Sequence, residues 1–157
     1  MKISSANNSH VDINADILAV AVTEDTLKSA LADLDTAFDG ALITALESDE
    51  FKPKSGASMS YPTFGKIAAK RLMVIGVGDG GVSGIQQGAG AVGKAARASG
   101  AQTVALDMGG LDAEQTQMAV EAFVAGNYKF DKYKTGEDKK EGAKDLILVG
   151  AIDSAAI

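Results

Sequence analysis

The sequence predicts an α/β protein of three layers, α/β/α, with helices on both faces of a mixed sheet of about six strands. Three observations predict it. Short runs along the chain are apolar at every position rather than at alternate ones, which marks strands covered on both faces. Segments with helical spacing lie between those runs, and glycine-rich turns join the two. The 157 residues suit one domain, 1–157, and a domain of this size buries roughly 68–70% of the surface its unfolded chain exposes.

Ile3 and its neighbours are a candidate edge strand, and Ile17 to Val22 is the first strong strand. From Leu27 the apolar residues fall at Leu27, Leu31, Leu34, Phe38, Leu42 and Leu46, the spacing of one helix with a single buried stripe. Asp33, Asp35 and Asp39 fall away from that stripe and read as solvated. Ala57 to Tyr61 is a second edge candidate, and Leu72 to Val77 is the next strong strand. Ile85 to Ser99 reads as a helix with a small, smooth face of Ala89, Val92, Ala95 and Ala96. Gly88, Gly90 and Gly93 each weaken that helix by about 1 kcal/mol relative to alanine, so close backbone packing is expected to require them. Thr103 to Leu106 is a strand. Asp112, with Gln115 three residues on, is a plausible N-cap for a third helix that turns Val120, Phe123 and Val124 inward and ends near Gly126. Lys132 to Lys144 reads as an exposed charged loop and Leu146 to Val149 as the last strand, with Ser154 to Ile157 placed to open a further helix.

Composition narrows the class. Apolar residues make up 46% and charged ones 23%, ordinary for a soluble globular protein. The net charge of −6 disfavours nucleic acid and anionic membranes, which select clustered Lys and Arg. No run approaches the roughly 20 apolar residues of a membrane span. Met1 to Ser5 carries no apolar secretory core, so a cytoplasmic location is expected. With no cysteine there is neither a disulfide nor a thiolate metal site.

The strongest chemical motif from spacing is Gly76-Val77-Gly78-Asp79-Gly80-Gly81, which fits G-x-G-x-x-G between a strand and a helix. Gly76, Gly78, Gly80 and Gly81 would bring backbone N–H groups to a pyrophosphate, and Asp107, ending the next strand, stands where a ribose-binding carboxylate would. Against this, Asp79 sets a negative charge in the cradle, Val82-Ser83-Gly84 reads as further loop, and the motif follows an earlier helix. A plain flexible turn is the competing reading. His10, the single histidine, lies in a polar stretch and reads as a surface residue. No G-x-S-x-G elbow presents a serine, and the carboxylates are scattered, so no catalytic residue and no metal ligand is expected. Asp35 and Asp39 share a face of the expected helix but lack a third partner. In Tyr128 to Lys134 aromatics alternate with lysines. They are either stacking platforms for nucleic acid or packing residues with lysines turned outward, and an acidic chain favours packing.

The order of motifs carries a resemblance. Asp16 to Val22, Leu34 to Leu46, Phe51-Lys52-Pro53-Lys54-Ser55-Gly56, Ala69 to Gly78 and Ala125 to Lys134 follow one another as in the amino-terminal domain of the cytosol (leucyl) aminopeptidases, peptidase family M17. The last segment is similar to the family's "G-x-Y-x-F-x-x-Y-K" and is the most specific match. Pro53 departs from a more usual glycine. The resemblance implies a macro-domain-like fold and a non-catalytic domain serving subunit assembly and access to the active site. It implies that catalysis belongs to a carboxy-terminal domain absent from this chain. There two divalent metals, zinc or manganese, would remove N-terminal residues from peptides. The implied partners are that catalytic domain and the sister subunits of a homo-hexamer. The family's "N-T-D-A-E-G-R" signature is not found here, so no ligand is carried over. A macro-like module holding ADP-ribose or another nucleotide at Gly76 to Gly84 is the alternative.

Overall fold

Six consecutive buried residues set the architecture. In the computed structural model, which describes residues 1–128 and 142–150, Ile17–Val22 forms β2 with every side chain buried. Side chains alternate across a strand, so Ile17, Ala19 and Ala21 meet one apolar layer while Leu18, Val20 and Val22 meet the other. A strand without a wet face needs helices on both sides.

The remaining strands are β1 (Lys2–Ala6), β3 (Ser58–Pro62), β4 (Arg71–Gly76), β5 (Thr103–Asp107) and β6 (Asp145–Val149), in the sheet order β1-β6-β5-β2-β4-β3. Every pairing is parallel except that of β3 with β4, so the sheet is mixed and six-stranded as expected, with both weak strand candidates at its edges.

The first layer contains α4 (Val82–Ser99) and α5 (Ala113–Asn127). Ile85, Ala89, Val92 and Ala96 of α4 and Ala119 and Phe123 of α5 bury against the sheet. Asp112 caps α5 by a full capping box with Gln115. One expectation about α5 fails. Val124 is 40% exposed, because the inward stripe is spent on Thr116, Ala119, Phe123 and Asn127. The helix ends at Asn127, near Gly126 as expected, and Gly126 in its last turn also serves packing, since a Cβ there would strike the Gly90 carbonyl.

The opposite layer contains α1 (Leu27–Ala30), α2 (Ala32–Ala37), α3 (Ala41–Ser48) and a 3-10 turn at His10–Asp12. The single helix expected over Leu27 to Leu46 is therefore three short ones. Leu31, Leu34, Leu42 and Leu46 are buried as the stripe requires, but Asp39 and Gly40 adopt positive φ and turn the chain between α2 and α3. Asp39 thus leaves the face it was expected to share with Asp35. Asp35 itself accepts the Ile43 N–H, while Asp39 sits 3.8 Å from Lys66 at the surface.

Two side chains fasten the starts of strands. Asp16, just before β2, accepts the N–H groups of Gln102 and Thr103 and pairs with Lys70 at 3.3 Å. The Gln102 bond above all holds its carboxyl below the ordinary 3.8. Asn127, buried at the end of α5, donates to the Ala143 carbonyl at 3.0 Å and accepts its N–H at 2.7 Å. Tyr128 is 66% exposed, contrary to a packing role. Phe130, the lysines from Lys129 to Lys140 and the Ser154 to Ile157 segment lie outside the described residues.

The α4 glycines divide by what surrounds them. A Cβ on Gly93 would run into the backbone of Phe123 and Asn127, whereas one on Gly90 would find only ordinary contact, 3.7 Å from the Ala122 carbonyl. Gly93→Ala is expected to destabilise by about 2 kcal/mol, the cost of overpacking exceeding the helix-propensity gain. Gly90→Ala should be neutral or stabilising by up to about 1 kcal/mol. Urea unfolding of the two variants beside the parent chain checks the contrast.

Candidate functional site at the carboxyl ends of the strands

The chain leaves β2 toward β4, through α1–α3 and β3, and leaves β5 toward β6, through α5. Those exits diverge from neighbouring strands, so the carboxyl ends of β2 and β5 flank the topological switch point at which open α/β sheets form a crevice. The glycine motif and Asp107 both lie at this end of the sheet.

At the glycine motif the loop N–H groups are largely used within the chain. Val77 donates to the Val22 carbonyl, Gly78 to that of Pro53 at 3.0 Å and Gly80 to that of Val77. Gly81 donates to the Asp79 carboxylate at 2.9 Å. The Phe51 to Gly56 segment lies against the loop so closely that a Cβ on Gly76 would strike Pro53 and Lys54. Gly78, at φ 62°, is likewise closed in by the Ser55 hydroxyl. The helix begins at Val82, directly after Gly81, so Val82-Ser83-Gly84 is not the extra loop that was expected. Gly84 allows this, because the first turn of α4 rests on the Val77 carbonyl. Beside Gly78 a cleft of about 380 Å³ opens between Glu24, Lys52, Pro53 and Lys54.

Asp107 ends β5 as expected, but its carboxylate is engaged by His10. The His10 Nε2 lies 2.6 Å from Asp107 Oδ2, and its Nδ1 lies 3.0 Å from Asp33 on α2. The other Asp107 oxygen accepts the Gly109 N–H at 2.9 Å. The histidine side chain is only 13% exposed, which corrects its reading as a surface residue, and Asp33 is not a merely solvated carboxylate. A sequence offers no periodicity that pairs residues 10, 33 and 107. The one available signal is that a lone histidine precedes a strand whose neighbour ends in aspartate. The bond to Asp107, opposed by burial and assisted by Asp33, pushes the His10 pKa up to about 9. Among the described residues no group of three or more His, Cys, Asp or Glu side chains is arranged to hold a metal.

A histidine whose pKa is raised by folding stabilises the folded state fully below its unfolded value of 6.5, and that contribution is lost as pH rises through about 9. With allowance for the exposure of Asp33, the His10-dependent stability should fall by on the order of 2–3 kcal/mol across this window. Denaturant unfolding from pH 6 to pH 10 should show the fall in the parent chain and not in His10→Gln.

Comparison with known proteins gives this geometry its context. Residues 19–137 match the profile of the cytosol aminopeptidase family, N-terminal domain. A probable cytosol aminopeptidase of Alkaliphilus oremlandii is 31% identical over 98% of this chain and 33% of its own length. The chain spans between a quarter and a third of the first curated relatives it matches. A tomato leucine aminopeptidase mutant superposes with a TM-score of 0.83 at 22% identity, over 99% of this chain and 34% of that one. The macro domain of ganglioside induced differentiation associated protein 2 shares the fold at a TM-score of 0.70 and 11% identity, over 99% and 78% of the two chains. The profile match spans most of the sequence, from within β2 past the end of α5, and on it the chain belongs to the cytosol aminopeptidase family as an amino-terminal domain of macro-like fold.

Proposed function

We propose that this chain is the non-catalytic amino-terminal domain of a metal-dependent leucyl aminopeptidase. The full-length form would remove N-terminal residues from peptides in the cytoplasm, using two divalent metals held by a separate carboxy-terminal domain. The observation that carries this reading is the family match over residues 19–137. The domain's own part is architectural, in contacts between sister subunits of a hexamer and in shaping access to the active site. An apolar groove of about 280 Å³, lined by Phe38, Leu42, Tyr61, Pro62 and Phe64, supports a contact role. Phe64 is 85% exposed at its rim and is held at φ 52°, a conformation an L-residue adopts at a cost.

On the same reading the glycine loop is a strand-ending turn. Its N–H groups at residues 77, 78, 80 and 81 already have partners within the chain, and a phosphate would have to displace them.

Two measurements test this. The isolated chain should show no hydrolysis of leucine p-nitroanilide with added manganese, and robust turnover would sink the non-catalytic reading. Coding sequence followed past Ile157 should reveal a domain bearing the "N-T-D-A-E-G-R" signature, and a stop codon there would sink the aminopeptidase parent.

A further inference from the structure

A histidine bridging two carboxylates can satisfy both bonds in one protonation state. Ionised Asp33 and Asp107 only accept hydrogen bonds, so both ring nitrogens of His10 must donate, and only the imidazolium carries two N–H groups. After loss of one proton, one nitrogen presents its lone pair to a carboxylate oxygen, and that contact becomes repulsive.

The geometry identifies the bond that breaks. Asp107 is 17% exposed, stands at the end of a core strand, approaches Nε2 at 2.6 Å and has its second oxygen held by Gly109. Asp33 is 44% exposed, approaches Nδ1 at 3.0 Å and can be rehydrated where it stands. The remaining proton therefore stays on Nε2. The ionisable groups facing the ring are Asp33 from α2 and Asp107 from β5, with Asp12 its neighbour on the 3-10 turn.

We propose that His10 is a protonation-dependent latch: charged, it ties α2 to the carboxyl end of β5 across the switch point; neutral, it keeps Asp107 and releases Asp33. Leu31 and Leu34 stay in the core, so the sheet is undisturbed and the motion is confined to the Asp33 end of α2 and the segment leading into the turn. This inference does not rest on the aminopeptidase reading.

His10 is the only histidine in the chain, so its ring resonances can be followed by NMR without assignment ambiguity. The expected result is a titration midpoint near 9, with the neutral form protonated on Nε2. Amides of Ala32–Ala37 should shift with the same midpoint, while those of β2 and β4 stay flat. Asp33→Ala should lower the midpoint by roughly a unit and abolish the pH response of α2. His10→Gln should leave α2 insensitive to pH. Three results would each overturn the latch: a ring midpoint at 6.5, α2 amides that ignore the titration, or a neutral form protonated on Nδ1 with the main response at Gly109. Asp33 is exposed, so its variant is expected to fold, and the ring midpoint of the parent chain decides the matter if it does not.

Discussion

Burying Ile17–Val22 on both faces is the constraint from which the rest follows. Leu18, Val20 and Val22 pack against Leu31, Leu34, Leu42 and Leu46, and each fully buried aliphatic side chain of this kind contributes about 1.5–3 kcal/mol. The other face is shallower along β2 itself. Ala19 and Ala21 leave little depth there, and α4 answers with Gly84, Gly88 and Ala89, so helix backbone comes close to strand backbone. The same economy of side chain recurs within that helical layer, where Gly93 and Gly126 bring α4 and α5 together.

At the carboxyl ends of the strands the protein answers its own polar groups. The N–H groups of the glycine loop go to Val22, Pro53, Val77 and Asp79, and the carboxylate closing β5 goes to His10 and Gly109. A sheet end of this kind is a common place for ligands. Here the N–H groups of Val77, Gly78, Gly80 and Gly81 are engaged by internal bonds, which suits the loop to holding a shape. That agrees with membership in a family whose curated relatives are three to four times as long as this chain.

Much of the fold was legible because it is written in local periodicity. All six strands, the capping box at Asp112 and the close packing at Gly93 of α4 follow from patterns within a few residues of one another. The division of the first helix was not, because the stripe from Leu27 to Leu46 keeps its spacing through the turn at Asp39 and Gly40. The start of α4 was missed for the opposite reason. Glycine at 84 looks like loop until the Val77 carbonyl is seen against it. Of the site, the glycine motif and Asp107 were visible as candidates, but what occupies them was not. His10 lies 97 residues from Asp107, and Pro53 lies 25 residues from Gly78, so neither contact leaves a trace in spacing.

The paired bonds between Asn127 and Ala143 set an anchor whose effect reaches beyond packing. A side-chain amide stands in for a neighbouring strand's peptide group, and it fixes the point at which the chain re-enters the sheet just ahead of β6. Register against β1 and β5 is thus set by residues on the near side of that anchor. Substitution at Gly142 is held in check, because a Cβ there would strike Asn127.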